Sequence, residues 1–261
     1  MAMKPCAISG IAFKTVSSGK CSGYAYFSHF NHLRSIKRYR KQPMTGKKDY
    51  NTSFRNGTEI TVDTHYTERY IRVMSNAENI LKQALLLFAR DGYENTGIQK
   101  IVKAAEITKP TLYHYFGSKQ GVLEAIFRMH LDPFLEKLEN LSHYDGDITV
   151  SLEEIAAHYF EFAESNMEFY RFFLAGANSP RESELFTTIV PRLKEQFEII
   201  QMLFKSAEVD HGNMKDRSAR YAITFLGMMN SYITTRFIGG ITLDRSTVFT
   251  ACKQFMHGIF S

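Results

Sequence analysis

The chain changes character at residue 75, where apolar residues begin to recur every three or four positions. From there to Gly92 one helical face is apolar, formed by Ala77, Ile80, Leu81, Ala84, Leu85 and Phe88. Ser75 and Glu78 have the spacing of a capping box, in which a serine hydroxyl and a glutamate carboxylate satisfy free backbone amides. The pattern therefore predicts a first helix that begins at Ser75 and stops at Gly92.

Three further helices are predicted at short intervals. The second helix is shorter, and its apolar face is formed by Ile98, Ile101, Val102 and Ala105. Thr108 can cap a third helix, with Pro110 in its first turn, where a missing amide proton costs nothing. Ser118 can cap a fourth helix that runs from Lys119 to about Asn140.

The rest of the chain keeps a helical period. Leu152, Ile155, Tyr159 and Phe162 form one stripe. Pro191 is expected to start or kink a helix through Phe204. A long helix from about Lys215 should end at Gly239-Gly240, and a last one should run from about Asp244 to Phe260. The pattern predicts an all-α second domain.

Residues 1–74 show no sustained period and carry 13 Lys/Arg against 4 Asp/Glu, whereas residues 75–261 carry 19 against 23. A basic cluster within them could contact nucleic-acid phosphates, and consists of Arg34, Lys37, Arg38, Arg40 and Lys41. We interpret this segment as a poorly ordered basic extension instead. Met74 stands directly before the first helix signal, so it is open whether the extension belongs to the native protein.

The third helix has the composition of a contact helix. Over residues 109–116, Leu112 and Phe116 lie on one face and are the only good core anchors. A helix-turn-helix inserts such a helix into the DNA major groove. The predicted readers of base edges are Lys109, Thr111 and His114. The predicted phosphate donors are Tyr113, Tyr115 and Lys119, and Thr108 and Pro110 complete the predicted DNA-binding set. The alternative is a surface turn of a helical bundle.

Residues 77–123 resemble the DNA-binding domain of the tetracycline-repressor (TetR) family of bacterial transcription regulators. The likeness is carried by "ILKQALLLFARDGYENTGIQKIVKAAEITKPTLYHYFGSKQGVL", in which Thr96 opens the second helix. The family usually has glycine where this chain has Glu106, so a positive φ there would cost about 1 kcal/mol.

The resemblance implies an N-terminal three-helix helix-turn-helix domain over residues 75–123. It also implies a helical domain over residues 124–261 that binds a small ligand and dimerises through its last two long helices. Seven large side chains are expected near that dimer surface: Tyr221, Phe225, Met228, Met229, Tyr232, Phe249 and Phe255. Candidate ligand-binding residues are Phe169, Phe173, Met202, Met228, Met229, Tyr232 and Phe237. The expected function is a repressor released from a palindromic operator by a small inducer; the alternative is a C-terminal domain that binds a protein partner.

Other chemistry finds little support in the sequence. Glu154, His158 and Glu161 share a helix face at metal-binding spacing, but we interpret this face as solvated and predict neither a metal nor a cofactor. No nucleophile elbow, phosphate loop or HExxH motif is present, so an enzyme is not expected. Three scattered cysteines and the absence of a long apolar run predict a cytoplasmic protein that does not enter a membrane.

Overall fold

The computed structural model describes residues 50–55 and 58–258, with side chains from residue 76 to residue 258. The chain divides into two compact units, Met1–Asn76 and Ala77–Ser261. Within the described ranges, no helix is both long and apolar enough to span a bilayer.

The N-terminal unit contains a β-hairpin that the sequence analysis did not predict. Strands β1 (Tyr50–Arg55) and β2 (Thr58–Asp63) pair antiparallel, with Tyr50 opposite Asp63. The sequence signal for it is Asn56-Gly57, a dipeptide typical of hairpin turns, between two segments rich in Thr and β-branched residues. The remainder of the predicted extension, including the basic cluster, lies outside the described residues.

Helix α1 (Thr64–Asp91) begins before Ser75, so the predicted start of the first helix is wrong. A residue inside a helix donates its amide to the preceding turn and needs no cap, so the capping-box spacing has no role at this position. The predicted end is confirmed, because Gly92 takes φ 84° and its amide bonds Phe88 O at 3.0 Å.

The next three helices follow their predicted boundaries. They are α2 (Ile98–Ala104), α3 (Lys109–Phe116) and α4 (Lys119–Leu141). Thr108 caps α3 and Ser118 caps α4, each with its side-chain oxygen accepting an amide of the first turn. Thr96 does not cap α2: its hydroxyl is buried and donates to Gly92 O at 2.8 Å, which closes the end of α1 instead.

Five more helices complete the described chain, and the all-α prediction for this part is confirmed. They are α5 (Ile148–Ser165), α6 (Met167–Gly176), α7 (Glu184–Ala207), α8 (Ser218–Phe237) and α9 (Arg245–His257), with a 3-10 turn at Gly212–Met214. Helix α7 does not start at Pro191. It starts earlier because Ser183 caps it, accepting from Phe186 N at 3.1 Å.

Aromatic rings form the core of α4 to α9. Phe127 in α4 lies 5.5 to 6.2 Å, between ring centroids, from three phenylalanines of α6, which are Phe169, Phe172 and Phe173. A second cluster joins the last three helices, with Phe255 at 5.9 Å from Phe204 and 5.4 Å from Phe225. These contacts fix the helices that carry the outward-facing α3.

Candidate nucleic-acid interface

The turn between α2 and α3 has the geometry that the sequence anticipated. Glu106 takes φ 55°, a left-handed conformation that glycine adopts more easily. The turn is closed by Ile107 N, which donates to Val102 O at 3.0 Å, and by the Asn79 side chain, which donates to Ala105 O at 3.2 Å. The expectation of a strained turn residue at Glu106 is confirmed.

Helix α3 is seated by one side chain and open elsewhere. Leu112 is fully buried, whereas Phe116, the second predicted anchor, is only partly buried. The helix is fixed at its start by Thr108, whose Oγ1 lies 2.9 Å from that of Thr111, and it ends at Gly117 with φ 73°. The helix is therefore short, held at both ends and available for contact on its outer face.

Most of the predicted DNA-binding residues lie on this outer face. Thr108, Lys109, Pro110, Tyr113 and His114 are exposed, and Tyr113 retains 49% of its accessible surface. Thr111 and Tyr115 are half-buried, and the Tyr115 ring lies 5.6 Å from that of His114. The structure thus brings these seven residues together on one helix and its cap.

Lys119 differs from the rest of the predicted set. Its ammonium donates to Tyr93 O at 3.2 Å and stands 4.0 Å from the centroid of the Tyr93 ring. An ammonium has three donors, so two of them are left for a phosphate. A phosphate contact by Lys119 stays a prediction.

Lysines predominate around the helix-turn-helix. Residues 98–119 contain one carboxylate, that of Glu106, and four lysines, which are Lys100, Lys103, Lys109 and Lys119. Lys100 is partly committed to Asp91, at 3.4 Å, and holds the end of α1. The guanidinium of Arg90, hydrogen-bonded to Asp91 at 2.7 Å, is the main cause that lowers the pKa of this carboxyl to about 2. Lys103 is exposed on α2 and is a cation that the sequence analysis did not single out.

The predicted ligand-binding residues do not gather around one cavity. Phe169, Phe173 and Met229 are packed in the core, and Met202 is 61% exposed on α7. Met228, Tyr232 and Phe237 are partly buried in α8. His158 is also buried, with Nε2 3.0 Å from Phe134 O, so the interpretation of its helix face as solvated is wrong for this residue.

A cleft of about 950 Å³ lies elsewhere, between the end of α1, the outer face of α6 and the segment that leads into α7. None of the predicted ligand-binding residues lines it. Phe88, Tyr93 and Phe172 do, and Tyr93 also donates a hydrogen bond from its hydroxyl to Glu184 at the start of α7. The sequence analysis did not find this cleft, because its walls come from three distant segments.

The helix-turn-helix has relatives among known proteins. Residues 80–126 match the sequence model of the family described as bacterial regulatory proteins, tetR family. The HTH-type transcriptional repressor KstR2 of Rhodococcus jostii is 25% identical over 181 residues, or 68% of this chain and 85% of KstR2. An uncharacterized HTH-type regulator of Bacillus subtilis, YuxN, is 32% identical over 87 residues, which is 30% of each chain. The chain thus spans less than a third of YuxN, but most of KstR2.

The fold is also found in solved structures. A putative fatty acid metabolism regulator of Clostridium perfringens superposes with a TM-score of 0.63 and 19% identity, covering 69% of this chain and 98% of that one. FadR of Bacillus subtilis superposes with a TM-score of 0.59 and 19% identity, covering 70% and 98%. With the geometry of α2 to α4 and the match over residues 80–126, these findings show that the chain is a DNA-binding regulator of the TetR family.

Proposed function

We propose that this regulator is a homodimeric repressor that binds a roughly palindromic operator and is released from it by a small molecule. KstR2 is named a transcriptional repressor, and the FadR structure holds stearoyl-CoA. The observation that carries the proposal is α3, a helix with one fully buried side chain, capped at both ends, whose outer face is polar and aromatic.

The outer face of α3 can supply both kinds of DNA contact. Lys109, Thr111 and His114 have the polar groups that read base edges in the major groove. The hydroxyls of Tyr113 and Tyr115 can donate to phosphates and fix the register of the helix on the duplex. The lysines nearby add the counterion-release contribution, so binding should weaken steeply with salt.

The last helices supply a surface for a second copy. Ile223 in α8 is 63% exposed and Phe249 in α9 is 57% exposed, although both are large and apolar. Of the side chains expected at this surface, Phe225 and Met229 are buried within the monomer instead. Two-fold pairing of α8 and α9 would remove Ile223 and Phe249 from water and would place two copies of α3 against one duplex.

Selection of DNA fragments by the full chain, followed by mobility shift on the recovered sequence, tests the DNA-binding part. His114→Ala should weaken binding about 5- to 150-fold, the range of about 1–3 kcal/mol for a side chain that reads a base edge. Tyr113→Phe removes only a hydroxyl and should weaken binding less, and to a similar extent on all sequences. His143→Ala, at another exposed histidine outside the helix-turn-helix, is the matched control. Equal binding by all three variants would refute the proposed role of α3.

Sedimentation velocity tests the dimer. Ile223→Glu and Phe249→Glu each place a charge on the proposed interface and should shift the protein towards the monomer, with loss of operator binding. Val150→Glu is the control, because Val150 is also apolar and 51% exposed but lies on α5. A dimer that survives both changes would contradict the α8–α9 pairing.

A further inference from the structure

The cleft between α1, α6 and α7 has the dimensions and the floor of a binding site. Its volume of about 950 Å³ is large enough for a small organic molecule. Phe88 stacks on Phe172, with ring centroids 5.9 Å apart and planes at 25°, and Tyr93 meets Phe88 edge-on at 5.0 Å. All three side chains are at most 4% exposed, so they form a rigid aromatic floor.

The charged groups on the walls favour a cation. Glu94 and Glu168 line the cleft with exposed carboxylates, and neither has an ion pair among residues 76–258. Two arginines also line it. Arg90 is paired with Asp91, and the guanidinium of Arg171 is directed to the ring of Phe237, which is not part of the cleft, with Cζ 6.0 Å from the ring centroid. The charge left uncompensated at the cleft is negative.

The surroundings of Tyr93 agree with this sign. Burial first, and then the carboxylates of Glu184, Glu94 and Glu124, raise the pKa of the Tyr93 hydroxyl. One face of the ring already holds the ammonium of Lys119. Aromatic rings beside carboxylates attract organic cations, whereas an organic anion would be repelled by the same carboxylates.

Tyr93 connects the cleft to the recognition helix. Its hydroxyl donates to Glu184 at the start of α7, and its carbonyl accepts from Lys119, the first residue of α4. Only Gly117 and Ser118 separate Lys119 from α3. A molecule that pushes on Tyr93 therefore acts on the segment that orients the recognition helix.

We propose that this cleft binds a lipophilic organic cation, and that its occupant alters DNA binding through Tyr93. The first half stands on the cleft alone, and the second half rests on the proposed repressor function.

Calorimetric titration of the full chain, without DNA, tests the site. Tetraphenylphosphonium and tetraphenylborate have nearly the same size and shape and opposite charges. The phosphonium should bind, and the borate should bind at least about tenfold more weakly. Equal binding of the two ions would overturn the assignment of the ligand class, and so would the absence of phosphonium binding.

Variants locate the bound ion. The double change Glu94→Gln and Glu168→Gln should weaken phosphonium binding at least about fivefold, because it removes both uncompensated carboxylates. The double change Glu136→Gln and Glu154→Gln alters the charge equally at exposed residues that do not line the cleft, and should have no effect. Ala175→Trp, which fills the cleft from exposed Ala175 on α6, should abolish binding while the far-ultraviolet circular dichroism is unchanged. Equal loss in both double variants, or full binding by Ala175→Trp, would place the ion elsewhere and overturn the site.

The coupling has its own measurement. Phosphonium should reduce operator affinity in the mobility shift, and Tyr93→Phe, which lacks the donor to Glu184, should bind phosphonium normally but respond less. Binding without any change in DNA affinity would refute the coupling and leave the site intact. Failure of the ligand-free chain to bind any selected DNA would refute the proposed repressor function, and the calorimetry would still decide on the cleft.

Discussion

Helices α3 and α6 are close in length, eight and ten residues, but the protein uses them in opposite ways. In α3 only Leu112 is fully buried, and the rest of the helix is left for a partner. In α6 five residues are buried, four of them aromatic. The difference shows that a short helix can be aromatic for two reasons, contact or core, and that burial separates them.

The largest effect should come from truncating a ring at the centre of the α6 cluster. Phe127→Ala removes the side chain that touches three phenylalanines of α6 and should lower the free energy of unfolding by about 3–5 kcal/mol. Tyr113→Ala, on α3, should change it by less than about 0.5 kcal/mol. Urea denaturation followed by circular dichroism compares the two. Similar losses would mean that α3 is packed as tightly as α6.

Leu112→Ala sharpens the comparison within α3. Leu112 is the one side chain that is fully buried there, so its truncation should cost about 2–3 kcal/mol, less than Phe127→Ala because a short surface helix can relax around the gap. The same denaturation experiment measures it. Operator binding should weaken as well, since α3 loses its anchor, and unchanged affinity would show that Phe116 alone seats the helix.

Glu106→Gly addresses the turn in front of α3. The left-handed φ of 55° strains a glutamate, so glycine should raise the free energy of unfolding by up to about 1 kcal/mol. Glu106→Ala, which keeps the strain and removes only the carboxylate, is the control. A gain in both variants would assign the effect to charge, not to backbone conformation.

Acid should weaken the core slightly and leave the exposed side chains unaffected. Burial lowers the pKa of His130 and of His158, and the Asn166 oxygen and the Phe134 carbonyl oppose the effect only in part. Both histidines are therefore neutral in the folded state, while the unfolded chain takes up protons below pH 6.5. Stability is complete above that pH and should fall as the pH drops below it.

Urea midpoints at pH 7.5, 6.5 and 5.5 measure this smallest effect. The double variant His130→Gln and His158→Gln should be less stable but flatter with pH. His143→Gln and His257→Gln, at exposed positions, should keep the slope of the native protein. A slope that follows the exposed pair would refute the role of the buried one.

The helix-turn-helix could be predicted almost residue by residue. Its helix ends depend on Thr108, Ser118 and Gly92, whose side chains or backbone act within one turn of the chain. Local rules suffice for such features, and they also anticipated the conformation of Glu106. The same rules failed at Ser75, because a capping pattern can occur inside a longer helix.

The C-terminal helices could be predicted as helices, but the roles of their side chains could not. Met202 and Phe169 have equally apolar side chains, yet one is exposed on α7 and the other is fully packed. Phe225 is buried within the monomer, while Ile223, two residues earlier, faces outwards. Which side of a helix meets a neighbour depends on how the helices are arranged.

The sequence by itself determined the all-helical character of residues 64–258, the ends of α2, α3 and α4, and the identity of the recognition helix, because caps, glycines and apolar periods act over a few residues. Only the tertiary structure decided which rings form the core, that Lys119 and Glu184 meet at Tyr93, and that a cleft opens beside them. Those features join residues up to 91 positions apart along the chain, and no local pattern records such contacts.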